Sequence, residues 1–350
     1  MTLLLLVWCQ LYRVGDTWVE RQAATLLHQA PLHPPTAIQG ELLTINARGL
    51  VLLRQDQLLL WQDGELKPLP KLPGTGSWIF QHAPLLKAPA LLSEQHLFLA
   101  VHSNWRTLPS LLHRGWTAPS YRGNGSYGQT LAPPLLAQQG ESVLAYQPRS
   151  GEGWLADGAK MLPFTTNRHL FPVAVSGHWA WLGRDDGSLA LSPLEQPGKV
   201  VRKLKIPHLS KSSLVHPTED AIWFICFAQG VQAALGAWDS QTVELHISWL
   251  NRETLQTGTL RIPSAPLVFT LEASSSGSPK LQANPGFESL VSCGSEALFL
   301  GWETKGLLLQ PGQPPQSFTR SAPIRALTRH AGRWYALHEE WQPLGPMGGG

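Results

Sequence analysis

Thirteen histidines, 24 acidic side chains and three cysteines are the groups of this 350-residue chain that could act on a substrate or hold a metal. Their spacing does not assemble them locally. No two histidines have metal-site spacing such as His-Glu-x-x-His, and no Cys-x-x-Cys pair exists. Asp185-Asp186-Gly187 lacks the further carboxylates of a calcium loop and reads as a hairpin turn. Gly123-Asn124-Gly125-Ser126-Tyr127-Gly128 matches the glycine-rich dinucleotide pattern in form. A phosphate cradle needs a helix straight after it, and Gln129 to Pro134 (QTLAPP) cannot open one cleanly, so the stretch reads as a loop. No nucleophile elbow, triad order or Walker loop is present. The expectation is a non-catalytic protein without metal or cofactor. Its alternative is a hydrolase or lyase whose Asp, Glu, His and Arg side chains converge from separate elements at the mouth of a central channel.

The remaining chemistry is that of recognition. The stretch GWTAPSYRGNGSYG carries Trp116, Tyr121, Arg122 and Tyr127. These residue types dominate interface hot spots, because each buries a large area and keeps a polar handle. Trp78, Phe80 and Trp238 belong to the same class. The competing reading is that some of these rings pack back on the scaffold, since a long loop must itself be anchored. The basic run Lys199, Arg202, Lys203 and Lys205 reads as edge protection of an outer strand, where lysine discourages edge-to-edge pairing. With a net charge of +3 and pI near 8.8, no broad nucleic-acid footprint is implied.

The elements that must position these residues are short strands. The sequence WQDGELKPLP from Trp61 returns as WLADGAKMLP from Trp154. Asp-Gly between apolar runs favours a tight hairpin turn, and the closing proline is expected to stop the ladder. Apolar anchors at Leu43, Leu92, Leu136, Val175, Val215, Val291 and Leu327 recur at the interval of propeller blades, roughly every 40–50 residues. One long step, from Val215 to Val291, reads as a blade with insertions. Seven anchors predict seven four-stranded blades in one all-β domain over residues 1–345, with 346–350 as a flexible tail. The last blade lacks an outer pair, and residues 1–30 are expected to complete it, with strands in 3–22 pairing to the C-terminal hairpin.

Four long segments, 71–89, 111–131, 228–241 and 264–287, join blades or link second to third strands. They are expected to crowd one face and make it the binding surface. The opposite face is expected to keep short turns, among them those at Gln55-Asp56-Gln57, Asp63-Gly64 and Asp157-Gly158. The N-terminal run Leu3 to Trp8 has no basic flank or small-residue cleavage site and reads as a buried strand. Cys9, Cys226 and Cys293 are odd in number and lie in apolar runs, which points to buried thiols and a cytoplasmic setting.

On these repeats the chain resembles the β-propeller superfamily, in the WD-repeat and quinoprotein-like style of four-stranded blades. The Gly-His and Trp-Asp signatures of WD repeats do not recur from blade to blade, and Trp238-Asp239 is a lone pair. In composition and size it also resembles the propeller partners in bacterial ternary systems with a MoxR-type AAA+ ATPase and a von Willebrand-A protein. That resemblance implies an adaptor that docks the ATPase machine or its client.

Overall fold

The computed structural model describes residues 10–344 except 15–16, 23–24, 72–76, 84, 102–103, 117–128, 133, 148–149, 158–159, 167–172, 183–186, 210–212, 219, 229–241, 273–279, 286, 294–295, 303 and 320–321. The described elements are all strands, arranged as a ring of eight antiparallel blades. In chain order the blades span 10–38, 41–68, 78–109, 135–165, 173–205, 214–285, 289–319 and 326–343.

Burial explains the pattern of apolar runs. Second strands lie between neighbouring blades with both faces covered, so Ala221–Phe227 (AIWFICF), Ala297–Trp302 (ALFLGW) and Ser142–Gln147 are buried at every position. Fourth strands meet solvent, and Glu65–Pro68 and Arg202–Lys205 are almost wholly exposed. The basic run thus does lie on an outermost edge, that of blade 5. The core sits between blades. Tyr146 and Leu155 of blade 4 pack with Trp179 and Trp181 of blade 5 and Phe224 of blade 6 in one cluster. Other clusters join blades 6 and 7, 7 and 8, 1 and 2, 2 and 3, and 3 and 4.

The Asp-Gly turn forms as its sequence demands. Asp63 and Gly64 both take left-handed angles, φ 53° and 84°, in a two-residue hairpin between Gln57–Gln62 and Glu65–Pro68. The blade 2 ladder ends before the closing Pro70, its last bond running from Leu69 N to Leu58 O at 2.9 Å, but in blade 4 the closing Pro163 lies within Lys160–Thr165, opposite Trp154, and the ladder continues to Thr165. The proline is tolerated on an edge strand, where its missing N–H removes no ladder bond. Gln55 and Asp56 also take positive φ, 49° and 61°, but they join second to third strand and so lie on the face of the blade-to-blade connections.

Two further expectations are corrected. The ring has eight blades rather than seven, because Gln10–Val14, Thr17–Gln22, Thr25–Gln29 and Thr36–Ile38 form a sheet of their own. The strands QLYRV and TWVERQ interleave polar residues and carry no paired apolar anchor. Residues 10–22 therefore belong to blade 1 instead of completing the last blade, while residues 1–9 lie outside those described. The second correction concerns blade 3, whose anchor Leu92 stands on its second strand, Ala90–Ser93. Its innermost strand is Trp78–Ile79, inside the segment expected to be a connection. The chain then crosses to blade 2, where Gln81–Ala83 runs parallel to Thr44, Ile45 and Asn46.

Blade 8 meets blade 1 through side chains. Trp18 Nε1 donates to Leu327 O at 3.2 Å, and the Arg325 guanidinium pairs with the Glu20 carboxylate. Gln29 Nε2 donates to the other carboxylate oxygen at 2.8 Å. Burial pushes the Glu20 carboxyl up, but hydrogen bonds from Arg325, Gln22 and Gln29 outweigh it and hold the pKa below the usual 4.5. A depressed carboxyl pKa contributes stability above pH 4.5 that is lost as pH falls through the folded value. Glu20→Ala strands a partly buried guanidinium and is expected to lower the unfolding free energy by about 2–4 kcal/mol at neutral pH. In urea melts, the gap between wild type and variant should narrow as pH drops below 4.5.

Candidate functional site

Strand alternation sorts the connections. First strands descend from one face and second strands return, so blade-to-blade connections and second-to-third turns share a face. The long excursions leave from this face. Between blades 3 and 4, His113–Trp116 pairs antiparallel with Gln129–Ala132 as a hairpin separate from both blades. In blade 6 the last blade strand continues outward as the 16-residue Thr257–Glu272, whose far half pairs with Lys280–Pro285. Its neighbour Thr242–Asn251 has ten residues, against four to six in most blade strands.

The expected recognition residues divide. Trp78 is half-buried and meets Phe98 edge-to-face at 5.8 Å, between blades 2 and 3. Phe80, two residues on, turns toward blade 1, where it packs edge-on to Tyr12 at 6.1 Å under the Arg21 guanidinium at 5.2 Å. Both rings thus pack against neighbouring blades and stay partly accessible. The Trp116 backbone ends its hairpin strand opposite Gln129. Tyr121, Arg122, Tyr127 and Trp238 lie outside the described residues.

A second site was not specified by sequence motifs: the central channel, a cavity of about 1250 Å³. It is lined by apolar groups such as Leu11, Leu85 and Leu290 and by charged ones including Arg13, Lys87, Arg329, Asp220, Glu253 and Glu296. Its wall is fixed by backbone and side-chain bonds between blades. Gln138 N donates to Leu85 O at 3.0 Å, and the Gln138 Oε1 accepts from the Lys87 and Ala88 amides at 3.0 and 2.8 Å. Arg252 spans blades 5 and 6: Nε donates to Ala174 O at 2.7 Å and Nη1 to Thr218 O at 2.8 Å. The one cue in the sequence is that cations follow several first strands at the turn, but they are far apart along the chain.

Among the described residues no group of three or more His, Cys, Asp or Glu side chains is placed to hold a metal ion. Cys226 and Cys293 are buried thiols; burial pushes the Cys226 thiol up, partly offset by the Ser213 hydroxyl, which donates to its Sγ at 3.1 Å.

Comparison with known proteins adds a fold likeness. No protein-family model matches the chain. No curated protein matches it either. Among solved structures, it is similar to the WD40 domain of Neurospora crassa Pan2, at 8% identity and TM-score 0.37, over 94% of this chain and 85% of that one. It is also similar to the WD40 domain of SCAP from fission yeast, at 7% identity and TM-score 0.38, covering 87% and 96%. PorZ, described as a surface component of the Porphyromonas gingivalis type-IX secretion system, matches at 11% identity and TM-score 0.33 over 93% of this chain. The chain spans about half, 49%, of the PorZ chain. The propeller assignment itself rests on the strand pairing above.

Several histidines are held neutral by the fold. His216, on the first strand of blade 6, has its pKa lowered by burial. His28 is lowered by burial and then by His33, and its ring lies edge-on to Trp61 at 5.2 Å. His208 is lowered by burial and by His246, whose ring centroid is 3.7 Å away, with Glu244 opposing the shift. A folded pKa below the ordinary 6.5 means that stability present above pH 6.5 is lost as pH falls through the folded values. Urea midpoints are expected to decline between pH 7 and pH 5, and the decline should be shallower in His216→Asn. An identical pH profile in that variant would show that His216 contributes nothing to it.

Proposed function

We propose that this propeller is a non-catalytic protein-binding scaffold that works through its decorated face. One observation carries the reading. Two hairpins, His113–Trp116 with Gln129–Ala132 and Thr257–Glu272 with Lys280–Pro285, leave the ring on the same side. Chain that is not needed to close a blade is retained there, and extended loops on a rigid frame are where proteins place recognition groups.

Trp116, Tyr121, Arg122, Tyr127 and Trp238 are the proposed anchors, as side chains of the hot-spot type carried by these excursions. Trp78 and Phe80 are proposed as anchors too, through the part of each ring left accessible by its packing on the frame. The finer form of the proposal is an adaptor for a MoxR-type AAA+ ATPase and a von Willebrand-A protein. The proposed setting is the cytoplasm, in keeping with the buried thiols Cys226 and Cys293.

The test is affinity capture from native cells with wild type and a variant shortened across 116–128. Loss of specific partners at an unchanged melting temperature is expected, and Trp116→Ala with Tyr121→Ala should weaken capture about tenfold or more. Identification of the lost partners as an ATPase and a von Willebrand-A protein would establish the finer form. Recovery of identical partners by wild type and the shortened variant would sink the reading.

A further inference from the structure

The channel mouth on the undecorated face sorts its charge by half. At this mouth each first strand hands the chain to the second. On four consecutive blades of the ring a cation stands at or beside that junction: Arg329 on blade 8, Arg13 on blade 1, Arg48 on blade 2 and Lys87 on blade 3. The other half carries acids, with Glu141 on blade 4, Asp220 and Glu253 on blade 6 and Glu296 on blade 7. Arg329 Nη1 and Glu296 Oε2, 3.8 Å apart, meet where the halves join. The cation on the acidic side, Arg252, is bonded to the carbonyls of Ala174 and Thr218 and clamps the wall.

We propose that this mouth is a binding site, separate from the decorated face, for an extended acidic peptide segment bearing apolar side chains. Cations on four successive blades are distributed along the rim of the mouth. They follow an arc, which suits carboxylates spaced along a chain. Behind them Leu11, Leu85 and Leu290 offer apolar wall to the intervening side chains. The cavity, about 1250 Å³, exceeds the ~300–1000 Å³ usual for a small-molecule pocket and leaves room for a peptide. The acidic half repels carboxylates placed the wrong way round, so charge sets the direction of entry.

The probe is a fluorescently labelled peptide of alternating Glu and Leu, followed by anisotropy against the full chain. Its Gln-Leu counterpart and tripolyphosphate serve as comparisons. The Glu-Leu peptide is expected to bind in a salt-sensitive way, with the Gln-Leu peptide much weaker. Arg13→Glu combined with Lys87→Glu should raise the Kd about tenfold or more. Lys203→Glu, on the outer strand of blade 5, should leave it unchanged. If the double variant melts early, Arg329→Glu carries the test, since that side chain is half exposed at 50%. Equal binding of both peptides, indifference to these charge reversals, or binding of tripolyphosphate alone would overturn the proposal.

Discussion

No blade of this protein can bury its own faces; each needs a neighbour on either side, and that requirement is met only if the ring closes. Every cluster of buried side chains described here lies between blades. An open arc would leave two apolar faces to water, at a cost proportional to the area exposed. The seam between blades 8 and 1 therefore governs the whole. Trp18 lies in the cluster of blades 7 and 8, and its indole N–H bonds the Leu327 carbonyl. Beside it, Glu20 and Arg325 add a directional bond that fixes how the last blade meets the first.

Closure also separates the two functions proposed for the molecule. Strand alternation sends long excursions to one face and leaves the opposite face with tight turns. The first can vary in length without disturbing a blade, because the added chain pairs with itself, as His113–Trp116 does with Gln129–Ala132. The second is bound to the ring, since its charged groups sit at the turns that join first strands to the buried second strands. Recognition at that mouth is correspondingly preorganised, with Arg252 and Gln138 tying the wall together across blades.

Much of the architecture was legible in the sequence, and the failures have physical causes. Buried second strands such as Ala221–Phe227 and Ala297–Trp302 announce themselves as apolar runs, and Asp63-Gly64 announces its turn. Gln10–Val14 and Thr17–Gln22 were read as strands but not as the start of a blade, because they carry about one polar residue for every apolar one and offer no paired anchor. The inner strand of blade 3 was read as a connection because it is only two residues long, Trp78–Ile79, and the chain runs on through Gln81 and His82 without an apolar pair. Gln81 is nonetheless buried, with its amide donating to Pro134 O at 3.0 Å, a long-range bond no local pattern encodes. The charge-sorted mouth was invisible for a different reason. Arg13, Arg48, Lys87 and Arg329 become neighbours only once the number and order of blades are known.

The divided strand at 78–83 gives the ring an uneven mechanical character. Trp78–Ile79 bonds within blade 3, whereas Gln81–Ala83 bonds to blade 2, Leu86 O accepts from Ala47 N, and Leu85 bridges to Ala137 of blade 4. Three successive blades are thus laced by main-chain amides rather than by side chains alone. A rearranged gene that opened the polypeptide between blades 2 and 3 would strip those amides of their partners. Over evolutionary time this third of the circle should travel as one inheritable block, while cuts at other seams would have mainly side-chain contacts to rebuild.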